Sequence, residues 1–172
     1  MLGPAGQLGS HYNGAMSALR FVSLLALTVW LGGMVTIGSV AAPSAFAVLG
    51  SADAASMVGE MLRRFHLVSY GAAAIVLVSL ACMALLGPRP RALGLRLAIT
   101  GAMLAAMLVS GFWVDRRVAA MRREIGAPVA SLAPGDPRRI AFGRLHGLST
   151  MLLLFATGGG VLLVYWETRD PR

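Results

Sequence analysis

The sequence predicts an all-α, polytopic integral membrane protein: a bundle of four transmembrane helices with a short amphipathic helix between the first and second spans. Of its 172 residues, 57% are hydrophobic and only 13% are charged, whereas soluble domains carry about 25% charged residues. The mean hydropathy is +0.74. Four apolar runs are each long enough for a helix that crosses the roughly 30 Å hydrocarbon core of a bilayer. We therefore expect the lipid bilayer to surround the chain.

The first predicted span covers about residues 19–43. No charged residue occurs between Arg20 and Asp53, so this apolar stretch exceeds the roughly 20 residues that a spanning helix needs. Pro43 is predicted to end or kink the helix at the membrane interface. Residues 1–18 contain several glycines and no Asp, Glu, Lys or Arg, which predicts a flexible or surface-lying leader.

An amphipathic helix is predicted between the first span and the second. Asp53 can cap its start, and Met57, Met61 and Phe65 recur four residues apart on one face. This helix either lies in the membrane interface or leads straight into the second span.

The other three spans are predicted over about residues 67–86, 97–114 and 145–165. A tight, basic turn rich in proline joins the second and third spans. A longer polar connection, helical to about Ile125, joins the third and fourth. The membrane domain thus covers residues 19–166, and residues 167–172 form a charged tail.

All 15 basic residues are arginines, and the net charge is +8. They lie at the ends of the apolar runs or between them, where they contact anionic headgroups and set orientation. The basic surface with stacking aromatics that nucleic-acid binding needs is absent.

Four spans put both termini on one side of the membrane. That side carries six arginines, and the opposite side carries nine: Arg63, Arg64, Arg116, Arg117, Arg122, Arg123, Arg138, Arg139 and Arg144. The count predicts termini outside the cytoplasm, and we expect a bacterial inner-membrane protein.

Small residues recur along every span and predict close packing of the helices, because small side chains let backbones approach in lipid. They are Gly32 with Thr36, Gly38 with Ala42, Gly71 with Ala74, Gly101 with Ala105, and the triplet Gly158, Gly159 and Gly160. The glycine pair Gly32 and Gly33 of the first span is likewise predicted to serve helix packing.

Polar and aromatic residues gather at the membrane face opposite the termini. The set comprises Pro43, Phe46, Arg63, Arg64, His66, Trp113, Asp115, Arg144 and His146. His66 and His146 each follow an arginine, enter a span from this face and have hydroxyl residues one turn deeper. The sequence thus predicts one candidate site, with Pro43 at its wall.

Two interpretations of the histidines stay open. In the first, His66 and His146 converge to bind copper or zinc, with Met34, Met103, Met107 or Met151 as soft partners, or to ligate a haem. In the second, each histidine lies at headgroup depth and bonds to a backbone carbonyl or to Asp115, which costs little near the end of a span.

No catalytic constellation is present in the sequence. It has no zinc-protease motif, no phosphate-binding glycine loop and no nucleophile with a base in local context. No acidic residue lies inside a predicted span, which argues against a proton-coupled transporter. We expect a protein that is not an enzyme and has no resident cofactor. The alternative is a protein that holds copper or haem as its cofactor.

Several short motifs resemble those of a known family. They are Trp30-Leu31-Gly32-Gly33, Pro43-x-x-Phe46, Arg63-Arg64-Phe65-His66 and Arg144-Leu145-His146-Gly147-Leu148-Ser149. Over about residues 19–165 the chain resembles the four-span, domain-of-unknown-function family that includes transmembrane protein 205. No reaction is established for that family, so the resemblance implies the fold. The Trp-Leu-Gly-Gly element also resembles the copper-resistance D type of membrane protein.

These observations predict an accessory or scaffold role. The first hypothesis is a non-catalytic membrane protein that is a subunit of a larger assembly or a homo-oligomer, with other membrane subunits or itself as partner. The alternative is a metal-binding or haem-binding membrane protein that uses His66 and His146.

Overall fold

The computed structural model describes the backbone of residues 4–86 and 90–169, and side chains within those ranges from residue 14 onward. All regular structure in these ranges is helical, with no strand. Four helices are long and apolar enough to cross a membrane: Gly14–Val48, Ser51–Leu86, Leu93–Ile125 and Pro137–Arg169. The predicted all-α, four-helix membrane fold is confirmed.

Two of the four spanning helices contain a π-helical turn. The first consists of α1 (Pro4–Thr36), a π-helical turn (Ile37–Ala41) and α2 (Ala42–Val48). The second is α3 (Ser51–Leu86). The third consists of α4 (Leu93–Leu108), a π-helical turn (Val109–Val114) and α5 (Asp115–Ile125). A 3₁₀ turn (Val129–Ser131) precedes the fourth, α6 (Pro137–Arg169).

The helices are longer than the predicted spans. At 1.5 Å per residue, the 36 residues of α3 extend about 54 Å, well beyond the roughly 30 Å hydrocarbon core. The segment predicted as an amphipathic helix forms the first turns of α3 and leads straight into the second span. At the opposite membrane face from the termini, the helices therefore continue past the lipid and can build a site there.

The two ends of the chain differ from the expected leader and tail. Helix α1 begins at Pro4, so residues 4–18 continue the first span without a break. Helix α6 runs to Arg169, through the first half of the expected charged tail. Residues 1–3 and 170–172 lie outside the described residues.

Pro43 does not end the first spanning helix. It lies in the first turn of α2, directly after the π-helical turn. A proline lacks the N–H that an α-helical ladder requires, and a π-helical turn already interrupts that ladder. The helix therefore passes through Pro43 and ends at Val48.

The four spanning helices close into one bundle. Helix α1 packs against α3 and α6, and α4 packs against the same two helices. Trp30 is fully buried and belongs to the same core cluster as the buried methionines Met34, Met83 and Met103. Flexible methionine side chains fill the irregular space between the helices.

Close helix contacts form at some of the predicted small residues and not at others. Gly33 lies directly against the ring of Phe65, and Gly159 lies against Met103. A methyl group added to Gly32, Gly71, Gly101 or Gly158 would instead meet no atom within 4 Å. The expected packing role therefore holds for Gly33 and Gly159, whereas these other glycines face away from the bundle.

A buried ion pair joins α4 to α6 near the termini. Arg96 Nη1 lies 2.9 Å from Glu167 Oε1, and the two side chains are only 1% and 4% exposed. From the sequence, Arg96 was expected among headgroups and Glu167 in the tail. The pair forms because α6 stays helical beyond the predicted span and carries Glu167 alongside α4.

Candidate functional site

A cavity of about 670 Å³ lies at the end of the bundle opposite the termini. Its walls come from the first half of α3, the π-helical turn with α5, the first half of α6, and Phe46 at the end of the first spanning helix. We call this cavity the boundary pocket, because its lining passes from charged residues such as Arg63 to residues inside the apolar spans such as Leu67 and Tyr70.

His66 is the most buried polar residue of the boundary pocket. The residue is only 5% exposed, and its Nδ1 lies 3.3 Å from Asp115 Oδ2. In the described part of the chain, no atom is positioned to form a hydrogen bond with this Nδ1. The imidazole therefore keeps hydrogen-bonding capacity inside the pocket.

Two further rings extend the site from His66. The rings of His66 and Tyr70 stack with centroids 6.2 Å apart, and Tyr70 stacks on Phe112 at 6.0 Å. The Tyr70 hydroxyl donates to the carbonyl of Met107 at 3.4 Å. These contacts position an aromatic wall, because aromatic pairs favour such offset arrangements at 4.5–7 Å.

Gly111 allows the third spanning helix to approach this wall. A Cβ at this position would lie 2.6 Å from the Tyr70 hydroxyl oxygen and 3.1 Å from His66 Cγ. Gly111 belongs to the π-helical turn Val109–Val114, and such turns occur frequently at functional sites. Behind it, the Oγ atoms of Ser110 and Ser149 lie 3.5 Å apart and link this turn to α6.

The arginines of the boundary pocket fall into two groups. Arg63 is bound to Glu60, with 2.7 Å between the charged atoms. Arg116 lies over the Phe112 ring at 5.4 Å, and Arg122 lies over the Phe142 ring at 5.6 Å while donating to the carbonyl of Ala55 at 2.9 Å. Within the described ranges, neither Arg116 nor Arg122 has a carboxylate at ion-pair distance. These two guanidinium groups are therefore not held in a direct ion pair, although the Asp115 carboxylate attracts Arg122 from beyond that distance.

The structure brings together part of the predicted site. Phe46, Arg63, His66, Asp115 and His146 all line the boundary pocket. Pro43, Arg64 and Trp113 do not line it, and Trp30, Gly32 and Gly33 lie elsewhere in the bundle.

Arg144 lines a separate cavity of about 500 Å³, together with Arg117 and Pro137. Residues two apart on an α-helix point about 200° apart. Arg144 and His146 therefore face different cavities, and so do Arg117 and Asp115. Arg144 therefore does not belong to the predicted site, because its side chain leaves α6 in a different direction from that of His146.

Sequence reasoning missed several residues of the pocket. Arg116 and Arg122 were assigned only to headgroup contacts, and Gly111, Phe112 and Phe142 received no role. A signal was available for the cation–π pair, because Phe112 and Arg116 are four residues apart, the spacing that places side chains on one helix face.

The pocket offers few side chains that could serve as ligands in the metal hypothesis. His66 and His146 share the cavity, yet among the described residues no three His, Cys, Asp or Glu side chains form a group that could hold a metal ion. None of the four candidate methionines lines the pocket. Met34, Met103 and Met107 are buried in the core, whereas Met151 is exposed.

Comparison with curated proteins gives no match, and comparison with solved structures gives none. A family model does match: the one described as Domain of unknown function (DUF4149), over residues 25–127. The matched range runs from the first spanning helix to just beyond α5. It therefore includes His66, Gly111, Asp115 and Arg122, and it ends before His146. Since this range exceeds half of the 172 residues, the chain belongs to the DUF4149 family, which is defined by a domain of unknown function.

Proposed function

We propose that this protein is a non-catalytic membrane protein that binds a small molecule in the boundary pocket. The observation that carries the proposal is the buried His66 beside a cavity that also receives Arg116 and Arg122. A volume of about 670 Å³ falls within the roughly 300–1,000 Å³ of small-molecule sites, which are mostly apolar with a few convergent polar groups.

The arrangement of polar atoms favours binding over catalysis. Nucleophilic catalysis requires a nucleophile within hydrogen-bond reach of a base. In the described part of the chain, the Ser149 hydroxyl contacts Ser110, and no hydroxyl or thiol is hydrogen-bonded to the imidazole of His66 or of His146. The Thr150 hydroxyl donates to the backbone carbonyl of His146 instead. A binding role also agrees with the rigid aromatic wall of Tyr70 and Phe112.

We further propose that the pocket faces the cytoplasm from a bacterial inner membrane. The nine arginines at the pocket end, against six at the terminal end, support this orientation. Periplasmic and cytoplasmic reporter fusions at the carboxyl terminus test it: activity of the cytoplasmic reporter alone would contradict it.

The test of ligand binding compares two tryptophan variants. Ser56 lines the pocket, whereas Ala52, one turn earlier on α3, is exposed and does not line it. Protein purified from native membranes in mild detergent is analysed by native mass spectrometry. We expect a stoichiometric small molecule in the wild type and in Ala52→Trp, and its loss in Ser56→Trp.

Two results would contradict this function. Absence of any bound small molecule from the wild type would remove its basis. A Soret band, or stoichiometric copper or zinc that is lost in His66→Ala and His146→Ala, would favour the metal or haem alternative. The motif Trp30-Leu31-Gly32-Gly33 supports that alternative, because it resembles the one in copper-resistance D-type proteins.

A second candidate function, as an accessory subunit or homo-oligomer, is favoured by the exposure of α6. Only 17% of an apolar 18-residue stretch of α6 is buried in the bundle, against 39% of the corresponding stretch of α3. Gly143, Gly147 and Gly158 have open space where a Cβ would lie, and Met151 and Leu154 between them are exposed. Gly143 and Gly147 are four residues apart, and in lipid small residues at that spacing allow a second helix to approach.

Particle mass in mild detergent tests this second candidate. We expect a complex larger than the monomer, and its loss in Gly147→Leu. Gly94→Leu is the matched control, because Gly94 on α4 also has open space around it. A monodisperse monomer without a co-purifying protein would contradict the subunit role.

A further inference from the structure

We propose that the ligand of the boundary pocket is an anionic, phosphate-bearing lipid, with its phosphate between Arg116 and Arg122 and its acyl chain along the apolar wall. This inference rests on the proposed binding function and names the chemical class of the ligand. Charge, side-chain position and membrane depth each support it.

The charge balance of the pocket favours an anion. The carboxylate of Glu60 is already bound by Arg63 and Arg64, each at 2.7 Å. Asp115 has His66 beside it at 3.3 Å. Neither Arg116 nor Arg122 has a carboxylate of the described chain at ion-pair distance. Asp115 attracts Arg122 from farther away, and one carboxylate cannot offset two guanidinium groups, so the described lining keeps a net positive charge.

Both guanidinium groups are held in place before any ligand arrives. Each lies over an aromatic ring, Arg116 on Phe112 and Arg122 on Phe142, an arrangement that favours arginine. A guanidinium has five N–H donors, and the only hydrogen bond of Arg122 to the described chain goes to the carbonyl of Ala55. The remaining donors match the oxygens of a phosphate, which arginine binds in a bidentate manner.

The depth of the pocket favours an amphiphile over a soluble anion. From Arg63 to Tyr70 on α3, the lining passes from outside the apolar span into it over seven residues, about 10 Å of helix rise. The deeper lining includes Leu67 and Phe112, which are 64% and 53% exposed. Side chains that both line the pocket and remain exposed leave it open toward the bilayer, where an acyl chain can lie.

The shared chemistry of the ligand is a phosphate, which a lipid headgroup or a soluble phosphate ester could supply. The apolar wall would stay unoccupied with a soluble ester. Lipid chains are as apolar as the side chains of this wall, so close packing of the acyl chain against the wall, and not removal from water, would add to the binding of the headgroup.

The experiment measures binding of defined probes to detergent-purified, delipidated full-length protein by native mass spectrometry. The probes are phosphatidylglycerol, phosphatidylcholine, glycerol phosphate and inorganic phosphate. The test variant is Arg116→Gln with Arg122→Gln. The matched control is Arg117→Gln with Arg123→Gln, which makes the same charge change on the same helix at positions that do not line the boundary pocket.

We expect the wild type and the control to prefer phosphatidylglycerol over the other three probes. The test variant should bind phosphatidylglycerol about tenfold to hundredfold more weakly, the loss expected for one or two charge-assisted hydrogen bonds. If that variant does not fold, as judged by its elution profile, Ser56→Trp serves as the second test and should also lose the lipid.

Other outcomes would overturn the inference. An equal loss in test and control variants would mean that general surface charge attracts the lipid. Equal binding of phosphatidylcholine would remove the preference for an anion, and equally tight binding of glycerol phosphate or inorganic phosphate would identify a soluble ligand. A non-lipid small molecule displaced by Ser56→Trp would overturn this inference while the proposed binding function stands. No small molecule of any kind would overturn both.

Discussion

Replacing Gly33 by alanine should destabilise the bundle, whereas the same replacement at the adjacent Gly32 should not. A Cβ at Gly33 would overlap the ring of Phe65, and two further ring carbons would lie 3.0 Å from it. Phe65 is only 8% exposed, so its ring cannot move without disturbing neighbours in the core. At Gly32 the added methyl group would meet no atom within 4 Å.

The magnitude follows from two opposing effects. Overpacking a well-packed core costs about 1–3 kcal/mol, whereas replacing a helical glycine with alanine gains about 0.5–1 kcal/mol. The gain applies equally to both positions, because both lie inside α1. The difference between the two variants therefore isolates the steric cost, about 1–3 kcal/mol against Gly33→Ala.

The assay is unfolding by sodium dodecyl sulfate in mixed micelles, followed by circular dichroism. We expect Gly32→Ala to match or exceed the wild type and Gly33→Ala to unfold at a lower detergent fraction. Adding Phe65→Leu to Gly33→Ala should recover part of the loss, because contacting residues couple by about 0.5–3 kcal/mol. Equal stability of the two alanine variants would refute the inferred contact between α1 and α3.

Three other perturbations test further parts of the structure. Glu167→Gln should cost about 3–5 kcal/mol in the same unfolding assay, because it takes a carboxylate from the buried charge of Arg96; an unchanged midpoint would contradict the burial of this pair. Gly111→Ala should cost about 1–3 kcal/mol and lower ligand occupancy, since the methyl group would enter the aromatic wall; full occupancy in native mass spectra would argue against that wall. The hydrogen bond from the side chain of Arg138 lowers the pKa of Asp136, just before α6. The ionised carboxylate therefore stabilises the start of α6 above the ordinary aspartate pKa of about 3.9, and this stabilisation is lost as pH falls through the lowered folded-state pKa. Protection factors for amide exchange at the start of α6, which correct for the intrinsic pH dependence of exchange, should fall in acid in the wild type and stay constant in Asp136→Asn; constant protection in the wild type would contradict this role of Asp136.

The fold was predictable because lipid leaves a spanning chain few options. Every backbone polar group in the hydrocarbon region must be bonded internally, so four long apolar runs imply four helices. Their true lengths were less predictable. The charged residues before His66 and His146 end the apolar runs, but they do not end the helices, which continue into water with their backbone bonds intact.

The sequence predicts at which membrane face the site lies, but it does not predict which residues of that face line the pocket. The clustering of His66, Asp115 and His146 at that face follows from the alternating direction of the spans. Helix rotation determines which neighbours share a cavity, and the apolar runs are too uniformly hydrophobic to reveal it. This is why Arg144 was included and Arg122 was not.

The π-helical turn Val109–Val114 lets the third spanning helix hold one additional residue beside the pocket. A π-helical turn is wider than an α-helical turn and fits that residue into nearly the same rise and rotation. Deleting a single residue inside the turn would therefore restore a regular ladder and leave Asp115 close to His66. The same deletion within the regular part of α4 would instead turn everything after it by about 100°, so Asp115 would move away from His66 and Arg122 away from Phe142. The wide turn thus makes this short segment the one part of the helix where a change of length leaves its two halves in register.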